Sequence, residues 1–288
     1  MASGELARLA RVVVANAAAD VPSPCVSVCR MDARNGLCVG CCRTLQEIAG
    51  WSRMDDAARR EVWRKIGQRA QGAPAMKRIT LFLDFISPYS YLAFEHLPQA
   101  LQGLSYGVAY RPVLFAGLLK HHGQLGPAEI APKRDWTYRQ VLWNADRHGI
   151  PLDLPAAHPF NPLALLRLAV ACGTGGAANR YVCETVFRHV WRGGADAADA
   201  RRLEALAQVL KPARDPAGEA VKSELKATTD DALSRGVFGV PTYAVDDKLF
   251  WGFDALPMLR AYLEGDPWFA GGDWERAQQV GAGIARGR

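Results

Sequence analysis

No apolar run in this 288-residue chain approaches the roughly 20 residues that a membrane-spanning helix needs, so a helical membrane protein is excluded. An export signal is also missing. Arg8 and Arg11 precede Val12-Val13-Val14-Ala15, but that run is short and Asn16 interrupts it. Cysteine is nearly absent outside one segment: five of the seven lie between Cys25 and Cys42. An odd count without an export signal argues against a disulfide framework, and the expected compartment is the reducing cytoplasm. Net charge is uneven as well, with basic residues in excess in the same region. Residues 1–77 hold twelve Lys and Arg against seven Asp and Glu, whereas the rest of the chain balances to within one charge. Two anomalies in one short stretch mark a separate N-terminal module.

Within it the pattern is Cys25-x3-Cys29-x8-Cys38-x2-Cys41, with Cys42 directly following. Four sulfurs within 17 residues can converge on one soft metal, and Gly36 and Gly40 permit the tight backbone this demands. Tetrahedral zinc suits the spacing and an iron–sulfur cluster is a second possibility; the alternative is free thiols in a small core. Arg30, Arg34 and Arg43 would offset the negative charge of four thiolates. A helix is expected over 45–51. Ser52-Arg53-Met54-Asp55 then reads as a second helix start, with Ala58, Val62, Trp63 and Ile66 on its apolar face. The opposite face, with Arg59, Arg60, Arg64, Lys65 and Arg69, reads as solvated rather than as a nucleic-acid contact.

Gln71-Gly72-Ala73-Pro74-Ala75-Met76 breaks the helical pattern and serves as a linker. Beyond it the pattern gives strand 78–85, helix 88–102, strand 105–113, a long helical stretch over about 115–235, strands 240–246 and 248–252, and helix 254–264. Asp246-Asp247-Lys248 reads as a hairpin turn. The order β-α-β, helical insertion, β-β-α is an α/β arrangement: a thioredoxin-like fold with a helical insertion domain, preceded by a small Cys-rich helical module. In such a fold the first helix start carries Cys-x-x-Cys. Here Ser87-Pro88-Tyr89-Ser90 stands there, with Ser87 at the N-cap and proline at the first helical position. Hydroxyls cannot cycle through a disulfide. They can stabilise a borrowed thiolate, and glutathione is the candidate lender. Gly239-Val240-Pro241-Thr242 opens the late strand. A cis Val240–Pro241 bond would leave a backbone edge open for an extended peptide; an ordinary edge-strand proline is the alternative. Trp136, Tyr138 and Trp143 fit either an aromatic pocket or core packing.

Two resemblances add to this reading. Residues 22–68, through Pro24-Cys25, Arg43-Thr44-Leu45, Glu47-Ile48 and Trp51, resemble a short proteobacterial domain family of unknown function. Residues 78–268 resemble the 2-hydroxychromene-2-carboxylate isomerase family, which is related to kappa-class glutathione transferases. The matching motifs are Asp84-Phe85-x-Ser87-Pro88-Tyr89-Ser90-Tyr91-Leu92-Ala93, Gly149-Ile150-Pro151-Leu152, Gly236-Val237-Phe238-Gly239-Val240-Pro241-Thr242 and Trp251-Gly252-x-Asp254. This resemblance implies a glutathione-dependent isomerase of aromatic-compound catabolism, a homodimer acting on an aromatic or unsaturated carboxylate. The alternatives are a kappa-like transferase, or a metal- or redox-sensing module beside a non-catalytic domain. It implies Ser87 at the glutathione sulfur, Lys133, Val240, Pro241, Thr242, Trp251 and Asp254 along the tripeptide, and Asn161 at the substrate. Phe253 and the segment 114–129 depart from the family pattern, which bears on the substrate. The expected organisation is a tail or short helix at 1–21, a Cys-rich module at 22–70, a linker at 71–77, the isomerase domain at 78–268 and a tail at 269–288.

Overall fold

The computed structural model describes residues 3–16, 20–32, 35–72, 76–279 and 281. Arg34, residues 73–75 of the linker and the end of the C-terminal tail lie outside them. The chain divides into two compact units, 1–77 and 78–288.

In the first unit α1 (Ser3–Ala15) lies along α3 (Asp56–Gly72). Leu6, Ala7 and Ala10 of α1 meet Val62, Trp63, Ile66 and Ala70 of α3 in one apolar cluster. A Cβ at Gly67 would stand 3.1 Å from that of Ala10, so glycine sets how closely the two helices approach. Between them lie a small hairpin, β1 (Met31–Asp32) and β2 (Leu37–Cys38), and the short α2 (Leu45–Gly50). The Arg43-Thr44 and Glu47-Ile48 motifs have a physical role here. Thr44 caps α2, with its hydroxyl accepting from the Glu47 amide and the Glu47 carboxylate accepting from the Thr44 amide. Arg69 then clasps Glu47 at 2.6 and 3.1 Å. The expected cap at Ser52 falls instead in a 3-10 turn, and Asp55 accepts from the Ala58 amide to start α3.

The second unit is built on a four-stranded sheet in the order β4 (Tyr106–Pro112), β3 (Lys77–Leu83), β5 (Thr242–Val245), β6 (Lys248–Trp251). β3 pairs antiparallel with β5, and β5 with β6. The central strands are apolar on both faces because both are covered. Ile79, Leu81, Leu83, Tyr243 and Val245 face the main core, while Phe82 and Ala244 face a second one. α4 (Pro88–Ala100) supplies Tyr91, Leu92, Phe94 and Leu97 to the main core. The expected helical stretch resolves into α5 (Phe115–His121), α6 (Ala131–Arg147), α7 (Leu163–Ala171), α8 (Arg180–Trp191), α9 (Ala200–Leu210) and α10 (Glu219–Ser234). After β6 come α11 (Leu256–Glu264) and the short α12 (Asp273–Arg276). Trp274 of α12 packs its ring against Phe250 and Phe269, so the expected tail is folded at least that far. Among the described residues no helix is long and apolar enough to cross a membrane.

Candidate active site

The site begins where β3 ends. Ser87 has extended backbone and caps α4: its Oγ accepts from the Ser90 amide at 3.2 Å, with Pro88 at the first helical position. The Ser87 hydroxyl proton points the other way, to the Val240 carbonyl at 3.4 Å. Amide and carbonyl together fix the hydroxyl's direction, and the partial positive end of α4 lies beside it. Ser90 is fully buried inside the helix.

Val240 belongs to the opposing loop. The Val240–Pro241 peptide is cis, and the Thr242 hydroxyl donates to the Gly239 carbonyl at 2.7 Å, closing the turn. Among the described residues the Val240 amide donates to nothing. Gly252 donates to the Pro241 carbonyl at 2.9 Å, which holds the Trp251–Asp254 segment beside the same loop. A Cβ on Gly239 would stand 2.5 Å from Nε1 of Trp251, so the exposed indole lies over that glycine. A Cβ on Gly252, where φ is +101°, would meet an Asp254 carboxylate oxygen. The carboxylate therefore folds back over the loop.

Val240, Pro241, Trp251 and Asp254 share one cavity of about 690 Å³ with Tyr89, His96, His148 and Phe253. Phe253, which departs from the family pattern, makes an apolar wall there, 5.2 Å from the His148 ring and 5.8 Å from His96. The Tyr89 hydroxyl donates to Gln140 at 2.6 Å; burial, and then the Asp254 charge, hold its proton above the usual tyrosine range. The structure does not gather every expected residue. Lys133 is exposed on the first turn of α6 and Asn161 is exposed, spending its Oδ1 on the Leu163 amide at the start of α7. Neither lines the cavity. Trp136 and Trp143 are exposed on α6, neither core nor pocket.

The three residues before Ser87 are each tied to the insertion, and sequence reasoning missed these ties. The Asp84 carboxylate accepts from the Phe115 amide of α5 at 2.9 Å and from the Ile86 amide at 3.2 Å. The Phe85 carbonyl accepts from the Trp191 indole at 2.9 Å. The Ile86 carbonyl accepts from Nε2 of His158 at 2.8 Å, which leaves Nδ1 to accept from the Tyr138 hydroxyl at 2.8 Å. Burial lowers the His158 pKa and keeps the ring neutral, against the pull of its bond to Ile86. Asp84 is fully buried, and desolvation pushes its carboxyl up to about 7 although three amides pull it down. An acid ending an apolar strand was the one visible signal for Asp84. His158 lies 72 positions from Ile86 and gave none. His158→Ala is expected to lower unfolding free energy by about 1–3 kcal/mol by orphaning the Ile86 carbonyl. It should also slow turnover; urea unfolding and steady-state assay check both.

In the first unit the cysteines fall into two pairs. Cys25 and Cys29 are exposed, whereas Cys38 and Cys41 are buried. Among the described residues, no three His, Cys, Asp or Glu side chains already stand in a ligating array.

Comparison with known proteins bears on the fold and the family. A model described as "DSBA-like thioredoxin domain" matches residues 78–264, and one described as "Protein of unknown function (DUF1289)" matches residues 23–70. The 2-hydroxychromene-2-carboxylate isomerase of Pseudomonas putida is 31% identical over 64% of this chain and 93% of its own. Glutathione S-transferase kappa 1 of Rattus norvegicus is 28% identical over 68% of this chain and 94% of its own. A solved structure of 2-hydroxychromene-2-carboxylate isomerase aligns with a TM-score of 0.57 at 23% identity, over 71% of this chain and 100% of that one, and supports the fold. The chain belongs to the DSBA-like thioredoxin domain family, in the group that holds the 2-hydroxychromene-2-carboxylate isomerases.

Proposed function

We propose that the second unit is a glutathione-dependent isomerase of an aromatic or unsaturated carboxylate. The observation that carries this is the 3.4 Å contact between the Ser87 hydroxyl and Val240. It sets Ser87, buried behind the cavity wall, against an open peptide edge at Val240, which does line a cavity large enough for a small molecule. The Val240 amide, free among the described residues, and its carbonyl would pair with the tripeptide backbone. Pro241, Thr242 and Trp251 shape that edge, and Asp254 would take the glutamyl ammonium. Lys133 and Asn161, outside the cavity wall, keep outer roles in this reading.

When bound, glutathione supplies a thiolate that adds reversibly to an activated carbon–carbon double bond and departs unchanged, so the net reaction is isomerisation. The protein's part is to hold that sulfur as an anion. A free thiol with pKa about 8.5 is only a few per cent ionised at neutral pH. Once the Ser87 proton turns from the Val240 carbonyl to the sulfur, that hydroxyl donor and the helix N-terminus shift the balance toward thiolate. Phe253, His96 and His148 wall the same cavity and give an unsaturated ring a partly apolar seat. The reading places the enzyme as a homodimer in the cytoplasm. The kappa-class similarity supports a second outcome, transfer, on the same site. A glutathione-free isomer as sole product favours isomerisation, and a stable adduct favours transfer. The cysteines of the N-terminal unit support a separate reading, a bound zinc ion or iron–sulfur cluster.

Calorimetry with reduced glutathione tests the premise. Asp254→Ala is expected to raise Kd about tenfold, the effect of losing one charge-assisted hydrogen bond of about 1.5 kcal/mol. No heat at millimolar glutathione with the parent protein would remove the reading.

A further inference from the structure

The N-terminal unit contains a buried cation without an anion. Arg43 is 3% exposed. Its guanidinium lies 5.1 Å from the Trp51 ring centroid, and its Nε donates to Sγ of Cys41 at 3.3 Å. Among the described residues no carboxylate answers it. A buried charge left uncompensated is costly, and a neutral thiol compensates it poorly. A thiolate at Cys41 would answer it well.

The backbone around the cysteines points the same way. Cys38 ends β2, and the Cys42 amide donates to its carbonyl at 2.8 Å, so 38–42 is a tight turn. The other pair is brought alongside by contact. A Cβ on Gly40 would stand 2.8 Å from Val26 and 3.0 Å from Val28, so only glycine lets the loop carrying Cys25 and Cys29 sit on the turn carrying Cys38 and Cys41. Cys42 is different. It has φ of +56° and packs against the α1–α3 cluster.

We infer that Cys25, Cys29, Cys38 and Cys41 bind one zinc ion as four thiolates. The two pairs, with three and two residues between their members, have the spacing of structural zinc sites, and the β1–β2 hairpin links one pair to the other. Each thiol gives its proton to solvent as its sulfur takes up the metal. Four thiolates on a divalent ion leave a net charge near −2, of which Arg43 offsets half. Binding draws the two pairs the remaining distance together, so metal and local fold are gained together.

The test uses the full-length protein, with zinc content by mass spectrometry and spectra after replacement by cobalt(II). The expected result is about one zinc per chain, and for cobalt the intense bands of a tetrahedral all-thiolate site. Cys42→Ser should keep both. Cys38→Ser should lose both; should that variant not fold, the parent and Cys42→Ser measurements decide alone. Substoichiometric metal with no cobalt–thiolate bands, iron with acid-labile sulfide, or bands of a site with fewer than four thiolates each overturn the inference. Glutathione turnover is not the readout, so this result and the isomerase reading stand or fall separately.

Discussion

Ser87→Ala is expected to reduce glutathione-dependent turnover by a hundredfold or more. Removing one donor aimed at a developing or resident anion costs on the order of 3 kcal/mol, and Ser87 has no neighbour ready to replace it. Its Oγ also caps α4 through the Ser90 amide, so alanine should cost about 1 kcal/mol of stability as well. The two roles separate with Ser87→Asp. A carboxylate accepts from the Ser90 amide and suits the helix N-terminus, so the fold should recover most of its stability. The same negative charge faces the sulfur, so turnover should fall at least as far as with alanine. Denaturant unfolding beside initial rates for both variants checks this. Full turnover in Ser87→Ala sinks the assignment. Restored turnover in Ser87→Asp would show that capping was the residue's whole contribution.

Asp84→Asn is expected to change the pH dependence of stability more than any other substitution in the site. In the unfolded chain an aspartate titrates near 4; folded, Asp84 holds its proton up to about 7. Below pH 4 both states carry the proton. Between about 4 and 7 only the folded state does, so it binds more protons and its stability falls as pH rises. Above 7 both are ionised and the loss is complete, on the order of 4 kcal/mol. The amide cannot ionise, so that fall should vanish. Even as the neutral acid Asp84 keeps two oxygens facing the Ile86 and Phe115 amides, whereas the amide of asparagine turns an NH2 to one of them, so the variant should be the less stable protein at pH 4 by about 1–3 kcal/mol. The two stability curves should converge or cross before pH 8. Parallel curves from urea melts across that range would show that Asp84 titrates as an ordinary surface carboxylate.

The parts legible in the sequence are those that local chemistry dictates. The end of an apolar strand, a serine before a proline and an apolar stretch after it place β3, the cap and α4 to within a few residues. The hairpin at Asp246-Asp247-Lys248 and the order of the elements follow from turn residues and period. The breaks inside 115–235 were harder, because amphipathic helices joined by short loops read as one continuous pattern. Side-chain destinations were harder still. Lys133 and Asn161 carry the right chemistry for a binding site, but the packing of α6 and α7 points them elsewhere. Trp136 and Trp143 show how little aromatic character says about burial on a surface helix. The ties of Asp84, Phe85 and Ile86 join positions 31 to 106 residues apart, and no periodicity records such pairings.

Those three ties also bear on how a chain like this could have arisen. A helical segment between two strands looks detachable, as if a smaller ancestor had acquired it and a descendant could discard it. Excision would strip a partner from the carboxylate of Asp84 and from two successive carbonyls, all in the turn that delivers Ser87. The insertion is thus a structural debt of the turn that carries Ser87: it can be lengthened, decorated or repacked, but a lineage that sheds it must first rebuild the turn.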